Sequence, residues 1–221
     1  MKNTLKITVF SAILLILAGG LVSCEKEKEI PTSSVSVINV KIPYDNNYDD
    51  FIVAVKLLVN SERMLDTNSQ QFFWQGTEIA QADFRDGSFT MNLPDNVNSL
   101  ELFDMSFPSS IKMSEKNVMH TIARLVAYNE DGEQVGYFTY IHFFFCDESI
   151  VEGGLMYFDR DFTIIGSDVS TAFISTASCN FKRGWNYVFT ISRRNSAGVQ
   201  LGEVTTSEPN CMHWNFKANN Y

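Results

Sequence analysis

Among the residues whose types can do chemistry, three histidines and four cysteines come first, and their spacing decides how far that goes. His142 and Cys146 share a strand face, but at a rise of about 3.3 Å per residue they stand roughly 13 Å apart, too far for one zinc held at just over 2 Å. Cys211 and His213, about 6.6 Å apart by the same rise, would need a bend and a third ligand from elsewhere. His120, His142 and His213 therefore read as ordinary sheet histidines, and the sequence implies neither a metal site nor a cofactor. No Gly-x-Ser-x-Gly elbow, His-Glu-x-x-His helix or Cys-x-x-Cys pair provides an activated nucleophile or a hydrolytic metal. Apart from Cys24, the thiols Cys146, Cys179 and Cys211 allow one disulfide and one leftover; Cys146 and Cys179 read as packing residues or a bridge.

Glycoside hydrolysis needs two carboxylates at a set separation, and 26 acids offer so many pairs that their presence carries no information. Asp45-Asn46-Asn47-Tyr48-Asp49-Asp50 has the oxygen ligands of a Ca²⁺ loop without the required spacing and glycine, so it reads as a polar hairpin tip. No catalytic residue emerges, and the chain reads as a non-enzyme. The remaining chemistry is aromatic: Trp74, Trp185, Trp214 and the Phe72-Phe73 pair. Exposed rings of this kind hold sugars on many β-sandwiches, whereas buried ones build cores. Trp74, beside Gln75-Gly76 at a strand end, is the candidate ligand-binding residue.

The elements that must position these groups are strands. From residue 34 onward, short runs rich in Val, Ile, Phe, Tyr and Thr alternate with Asn, Asp, Gly and Ser clusters. Val53, Val55, Leu57 and Val59 recur with period two, favouring a strand over a helix from Phe51 to Asn60. The other expected strands are Val35–Ile42, Gln71–Gln75, Gly87–Leu93, Ser99–Met105, Val118–Tyr128, Gln134–Cys146, Gly154–Ile165, Thr171–Phe181, Trp185–Arg193, Gly198–Thr205 and Cys211–Lys217. Asp86-Gly87 and Asn129-Glu130-Asp131-Gly132 predict hairpin turns, because glycine supplies the positive φ of a tight reversal; Lys182-Arg183-Gly184 predicts a third. The Gln134–Cys146 strand is apolar on both faces and is expected at the centre of the fold. The fold class is an all-β antiparallel β-sandwich, immunoglobulin-like or prealbumin-like. One large unit over residues 34–221 is favoured over two tandem modules split near 106–117.

The first 23 residues carry Lys2 and Lys6, then an apolar run from Ile7 to Val22, the layout of a secretory signal. The run is short for a membrane span and lacks a basic far flank. It closes with Leu21-Val22-Ser23-Cys24, which resembles the lipobox of bacterial lipoproteins. That resemblance implies cleavage before Cys24, diacylation of its thiol and frequent acylation of the new amino group. At about 0.8 kcal/mol per buried methylene, two or three chains anchor a protein durably. Glu25-Lys26-Glu27-Lys28-Glu29 is similar to the acidic export tag that sends lipoproteins of some Gram-negative gut anaerobes to the outer face of the outer membrane. Residues 24–33 otherwise read as a charged tether.

Two stretches resemble elements of uncharacterised lipoproteins from such anaerobes: Ala123–Gly136, and Asp159–Gly166 followed by Lys182-Arg183-Gly184-Trp185-Asn186. The resemblance implies β-hairpin elements of a sandwich and no catalytic residues. Gly76-Thr77-Glu78-Ile79, Asp86–Thr90 and Leu93-Pro94 loosely resemble prealbumin-like modules of surface proteins.

Without residues 1–23 the chain keeps 15 basic residues against all 26 acids, a formal charge of −11. That sign argues against nucleic acid or anionic headgroups as partners. The sequence thus predicts an outer-membrane lipoprotein, lipid-anchored through Cys24 and exposed at the cell surface or facing the periplasm. Its expected role is to bind a glycan, a host protein or an envelope partner. The alternatives are a fibre subunit that donates an edge strand, Val35–Ile42 being the candidate, and a carbohydrate-active enzyme.

Overall fold

The computed structural model describes residues 34–42, 48–67, 71–104, 107–144, 149–169, 173–194, 198–210 and 212–219. The period-two apolar rows become fourteen strands among these residues: β1 (Val37–Lys41), β2 (Ala54–Asp66), β3 (Gln71–Asp83), β4 (Ser88–Asn92), β5 (Glu101–Leu102), β6 (Ile111–Met113), β7 (Met119–Tyr128), β8 (Gln134–Phe144), β9 (Ser149–Phe158), β10 (Phe162–Val169), β11 (Phe173–Phe181), β12 (Gly184–Arg194), β13 (Gln200–Thr205) and β14 (His213–Ala218). Tyr48–Asp50 forms a single 3-10 turn. The chain is an all-β sandwich.

Ten strands form one path, β3-β2-β7-β8-β9-β12-β13-β11-β10-β6, with β14 added beside β8 and β5 beside β7; β1 and β4 form a separate two-stranded sheet. The small sheet lies on the inner face of the large one. Its Ile38, Val40, Phe89 and Met91 pack with Val55, Leu57, Val59, Leu125, Phe138, Leu155 and Trp185 in the larger core. A second core gathers Phe103, Ile111, Val118, Phe158, Phe162, Ile164, Cys179 and Phe181 beneath β6, β10 and β11. At about 25 cal/mol per Å² these apolar rows supply most of the driving force for folding.

The expected Gly154–Ile165 strand is two strands, interrupted at Asp159-Arg160-Asp161. Asp159 accepts the Met119 N–H at 2.9 Å, and Asp161 accepts the Arg183 N–H at 2.8 Å. The two carboxylates thus fasten the corner to the start of β7 and to the turn between β11 and β12, and the run stops there. Asn129–Gly132 makes the expected hairpin: Gly132 has φ +78°, and the Asn129 side chain accepts the Glu133 N–H at 2.8 Å.

The other two turns change sheet or layer. Asp86 and Gly87 both have positive φ, and Arg85 and Ser88 exchange backbone bonds at 2.9 Å. Beyond that bridge, however, β3 stays in the large sheet and β4 pairs with β1. At Lys182–Gly184 no hairpin forms, because β13 enters between β11 and β12. The β11–β13 pair is consequently parallel, the one departure from antiparallel pairing in the described ladders.

The expected position of the Gln134–Cys146 strand inside the sheet is met over Gln134–Phe144, where β8 touches three neighbours. Its first half pairs with β7, its second half with β9, and its opposite edge with β14.

Candidate functional site

The β2–β3 hairpin does not continue straight. Its two strands slip register between Val59 and Glu62, and Asn60 sits at φ +49°. Asn60 is held there from both ends of its amide: its Nδ2 donates to Ser99 O at 3.1 Å, and its Oδ1 accepts from the buried Thr121 hydroxyl at 2.6 Å. On the facing strand Gly76 leaves no room for a side chain, since a Cβ there would meet Val59 O and Ser61 Cβ at 2.9 Å. A slip in register with a crowded glycine opposite is how a ladder bends.

The bend folds the outer half of the hairpin, Glu62–Asp66 and Gln71–Gln75, back over the outer face of the large sheet as an arm. Val59 pairs with Ala123, so a straight hairpin would carry Trp74 away from the far end of β7. Instead Trp74 lies over that end. Its ring sits 4.2 Å from the Arg124 guanidinium carbon and 5.7 Å, edge-on, from Tyr137. Its backbone meets the side chain of Gln134, which pairs with Tyr128. Covering explains a burial pattern that alternation alone does not: Leu58 and Val126 point away from the core residues Leu57 and Leu125, yet are only 3% and 0% exposed.

Gln134 latches the arm through its backbone. Gln134 Oε1 accepts the Trp74 N–H at 2.7 Å, and Gln134 Nε2 donates to Trp74 C=O at 2.6 Å and to the Tyr128 hydroxyl oxygen at 3.0 Å. A side-chain amide here does the work of a ladder neighbour, satisfying backbone groups that a two-stranded arm leaves open.

Between the arm tip and the end of the sheet lies a cleft of about 970 Å³. Its apolar walls include Phe51, Leu65, Phe72 and Phe73, and its polar groups include Asp66, Gln71, Glu133, Gln134 and Asn219. Phe51, Leu65 and Phe72 are 39%, 45% and 37% exposed, a cluster of large apolar side chains left at the surface. The Arg63 guanidinium carbon stands 4.0 Å from the Phe72 ring centroid. A concave, mixed apolar and polar cavity of this size suits reversible binding of a chain-like ligand.

Trp74 itself is half-buried, and its ring is engaged by Arg124 and Tyr137. It supports the cleft, whose aromatic wall comes instead from the adjacent Phe72 and Phe73. Trp185 is 2% exposed in the core, where its Nε1–H donates to Pro94 O at 2.9 Å. Trp214 stacks on Tyr140 at 4.7 Å.

His120 and His213 do not converge. His120 is buried against Phe103 and Phe158, with Nδ1 3.3 Å from Glu101 O; His213 is exposed on β14. The side chain of His142, together with Cys24, Cys146, Cys211 and residues 45–47, lies outside the described residues. Among the described residues no group of three or more His, Cys, Asp or Glu could hold a metal ion. Cys179 is a free thiol, 2% exposed, and burial pushes its pKa up to about 12; a group so protonated is a poor nucleophile at neutral pH.

No protein family, curated protein or solved structure matches this chain, so its function rests on the geometry above and on the amino-terminal segment.

Proposed function

We propose that this chain is a lipoprotein held to the outer membrane through acylated Cys24, with its body at the cell surface and a non-enzymatic role in binding. The cleft beneath the folded-back arm is the binding site. The observation that carries this reading is the latch. A hairpin bent through a fixed Asn60 and tied down by Gln134 creates a wide cleft and leaves three large apolar side chains exposed at its mouth. What sets them apart from other exposed apolar side chains, such as Ile165 and Val169, is that they gather around one concavity. The Leu21–Cys24 lipobox and the charged residues after it support the anchor and the surface location.

The test is retention of the full chain, in detergent micelles, on immobilised envelope and host-surface fractions. Wild type is compared with Leu65→Asp and Phe72→Ala, both at exposed positions that leave the cores intact. Retention that drops in both variants supports the cleft; retention that is absent, or equal in all three proteins, contradicts it.

A further inference from the structure

The three central strands fork. β7 pairs with β9 from His120 to Ala123 and with β8 from Leu125 onward, and β8 joins β9 from Tyr140, opposite Gly153. Arg124, Thr139 and Gly154 stand where these ladders part. A cavity of about 270 Å³ lies at this fork and shares no residue with the cleft. Its lining joins Arg124, Glu152 and Thr190 to Leu125, Phe138 and Leu155 of the larger core. Ile122 pairs with Met156, so Arg124, two residues on, and Glu152, four before Met156, share the outer face of the sheet. The fork is therefore charged at its outer rim and apolar at its floor.

The two charges face one cavity without neutralising each other: among the described residues, neither Arg124 nor Glu152 forms a salt bridge. The Arg124 guanidinium carbon is 4.2 Å from the Trp74 ring, a contact that holds the group in place, and no described acceptor takes its side-chain N–H donors. Partial burial lowers its pKa while Tyr137 and Glu152 raise it, so the Glu152 charge is felt across the opening. We infer that the fork is a second binding site, independent of the cleft, for a free α-amino acid with an apolar side chain. The ligand carboxylate pairs with Arg124 in the side-by-side geometry a guanidinium favours, its ammonium pairs with Glu152, and its side chain enters the apolar floor. A simple acid or a simple amine would leave one of the two rim charges unmet. A cavity of about 270 Å³, at the small end for ligand sites, suits one residue rather than a chain.

The experiment is ligand-observed NMR titration of the full chain with leucine, phenylalanine, glycine, N-acetyl-leucine, leucinamide and dileucine. Leucine or phenylalanine should bind. N-acetyl-leucine lacks the ammonium, leucinamide the carboxylate and glycine the side chain, and each should bind about tenfold more weakly or not at all. In Glu152→Gln, at an exposed position, leucine should fall to the level of N-acetyl-leucine, whose own binding stays as in wild type. Phe72→Ala, in the cleft, should leave leucine binding intact; a loss there would overturn the independence of the two sites. No binding of leucine or phenylalanine, or binding that acetylation and amidation leave unchanged, would overturn the fork as an amino-acid site. Tighter binding of dileucine, whose charges lie further apart, would overturn the single amino acid as its ligand.

Discussion

Gln134 closes on both backbone polar groups of Trp74, a residue 60 positions earlier in the chain, at 2.7 and 2.6 Å. No ladder joins β3 to β8 there, and this amide links the arm to the sheet in its place. The arm is a two-stranded piece, marginal without such support.

Gln134→Ala should therefore loosen the arm while sparing both cores. The expected loss is about 1–3 kcal/mol from three hydrogen bonds, two to Trp74 and one to Tyr128. Amide exchange should rise at residues 71–75 and Trp74 emission should shift to the red, with the β7–β8 amides unchanged. Gln134→Glu can still accept from Trp74 N–H but, ionised, cannot donate to its carbonyl, and should fall between the two. Hydrogen-exchange mass spectrometry reads all three proteins.

Two glycines of the central sheet should respond oppositely to alanine. At Gly136 a Cβ would lie 2.4 Å from Lys217 O and from the Phe216 ring, so β14 could not keep its place beside β8; the expected cost is about 3 kcal/mol or more. At Gly154 the nearest atom is Val188 O at 3.8 Å, and alanine should be neutral or slightly stabilising because it restricts the unfolded chain. Urea unfolding midpoints of the two variants test the contrast.

Trp185→Phe keeps the ring in the core but removes the N–H that meets Pro94 O at 2.9 Å, the segment following β4. The stranded carbonyl should cost about 1–3 kcal/mol. Tyr157, whose hydroxyl donates to Asp95 O at 3.0 Å, secures the same segment, so the double variant should show non-additive loss in a mutant cycle.

Stability should fall at both ends of the pH scale for separable reasons. The hydrogen bond from Arg160, together with the Met119 N–H, holds the Asp159 carboxyl below the ordinary aspartate range. Its contribution is complete above the unfolded value near pH ~4 and is lost as pH drops through the lower folded value. Asp159→Asn should shrink that acid limb, leaving the share of Asp161, whose carboxyl is held low by the Arg183 N–H and Lys182. The Cys179 thiol is raised to about 12, so its contribution is complete below the unfolded value near ~8.5 and declines as pH rises from there toward 12. Cys179→Ser removes the part of the alkaline limb that begins at pH ~8.5, leaving the later loss from the partly buried Tyr128, Tyr140 and Tyr187 hydroxyls, whose pKa values burial raises. Denaturant titrations from acid to alkaline pH separate the two, and iodoacetamide should label Cys179 only as fast as the protein unfolds.

Much of the sheet was legible because period-two burial is a local signal. Val55, Leu57 and Val59 announced β2, and Asn129–Gly132 announced the β7–β8 hairpin. What alternation could not show was where a strand goes after its local pattern is interrupted. Asn60-Ser61 and Gly76 read as strand ends, whereas β2 runs on to Asp66 and β3 to Asp83. Those polar and small residues are the bend itself, fixed by Ser99 and Thr121 from distant parts of the chain.

The same holds for Lys182–Gly184, whose turn chemistry is real. Asn186 Nδ2 donates to Lys182 O and Gly184 O, and Asn186 Oδ1 accepts the Lys182 N–H. It is nevertheless a corner, because β13, encoded later, takes the place beside both strands. Trp74 reads from the sequence as a ligand-binding ring, but a ring's partners are set by the fold-back: Arg124 and Tyr137 engage it, and the cleft wall falls to Phe72 and Phe73.

The most direct measurement for the account as a whole is protease digestion of intact against lysed cells, with an antibody to the body of the protein as the readout. A lipid-anchored surface protein that captures ligand in an outward-facing cleft predicts loss of the band in intact cells. Protection until lysis would place the body inside the envelope and contradict surface exposure.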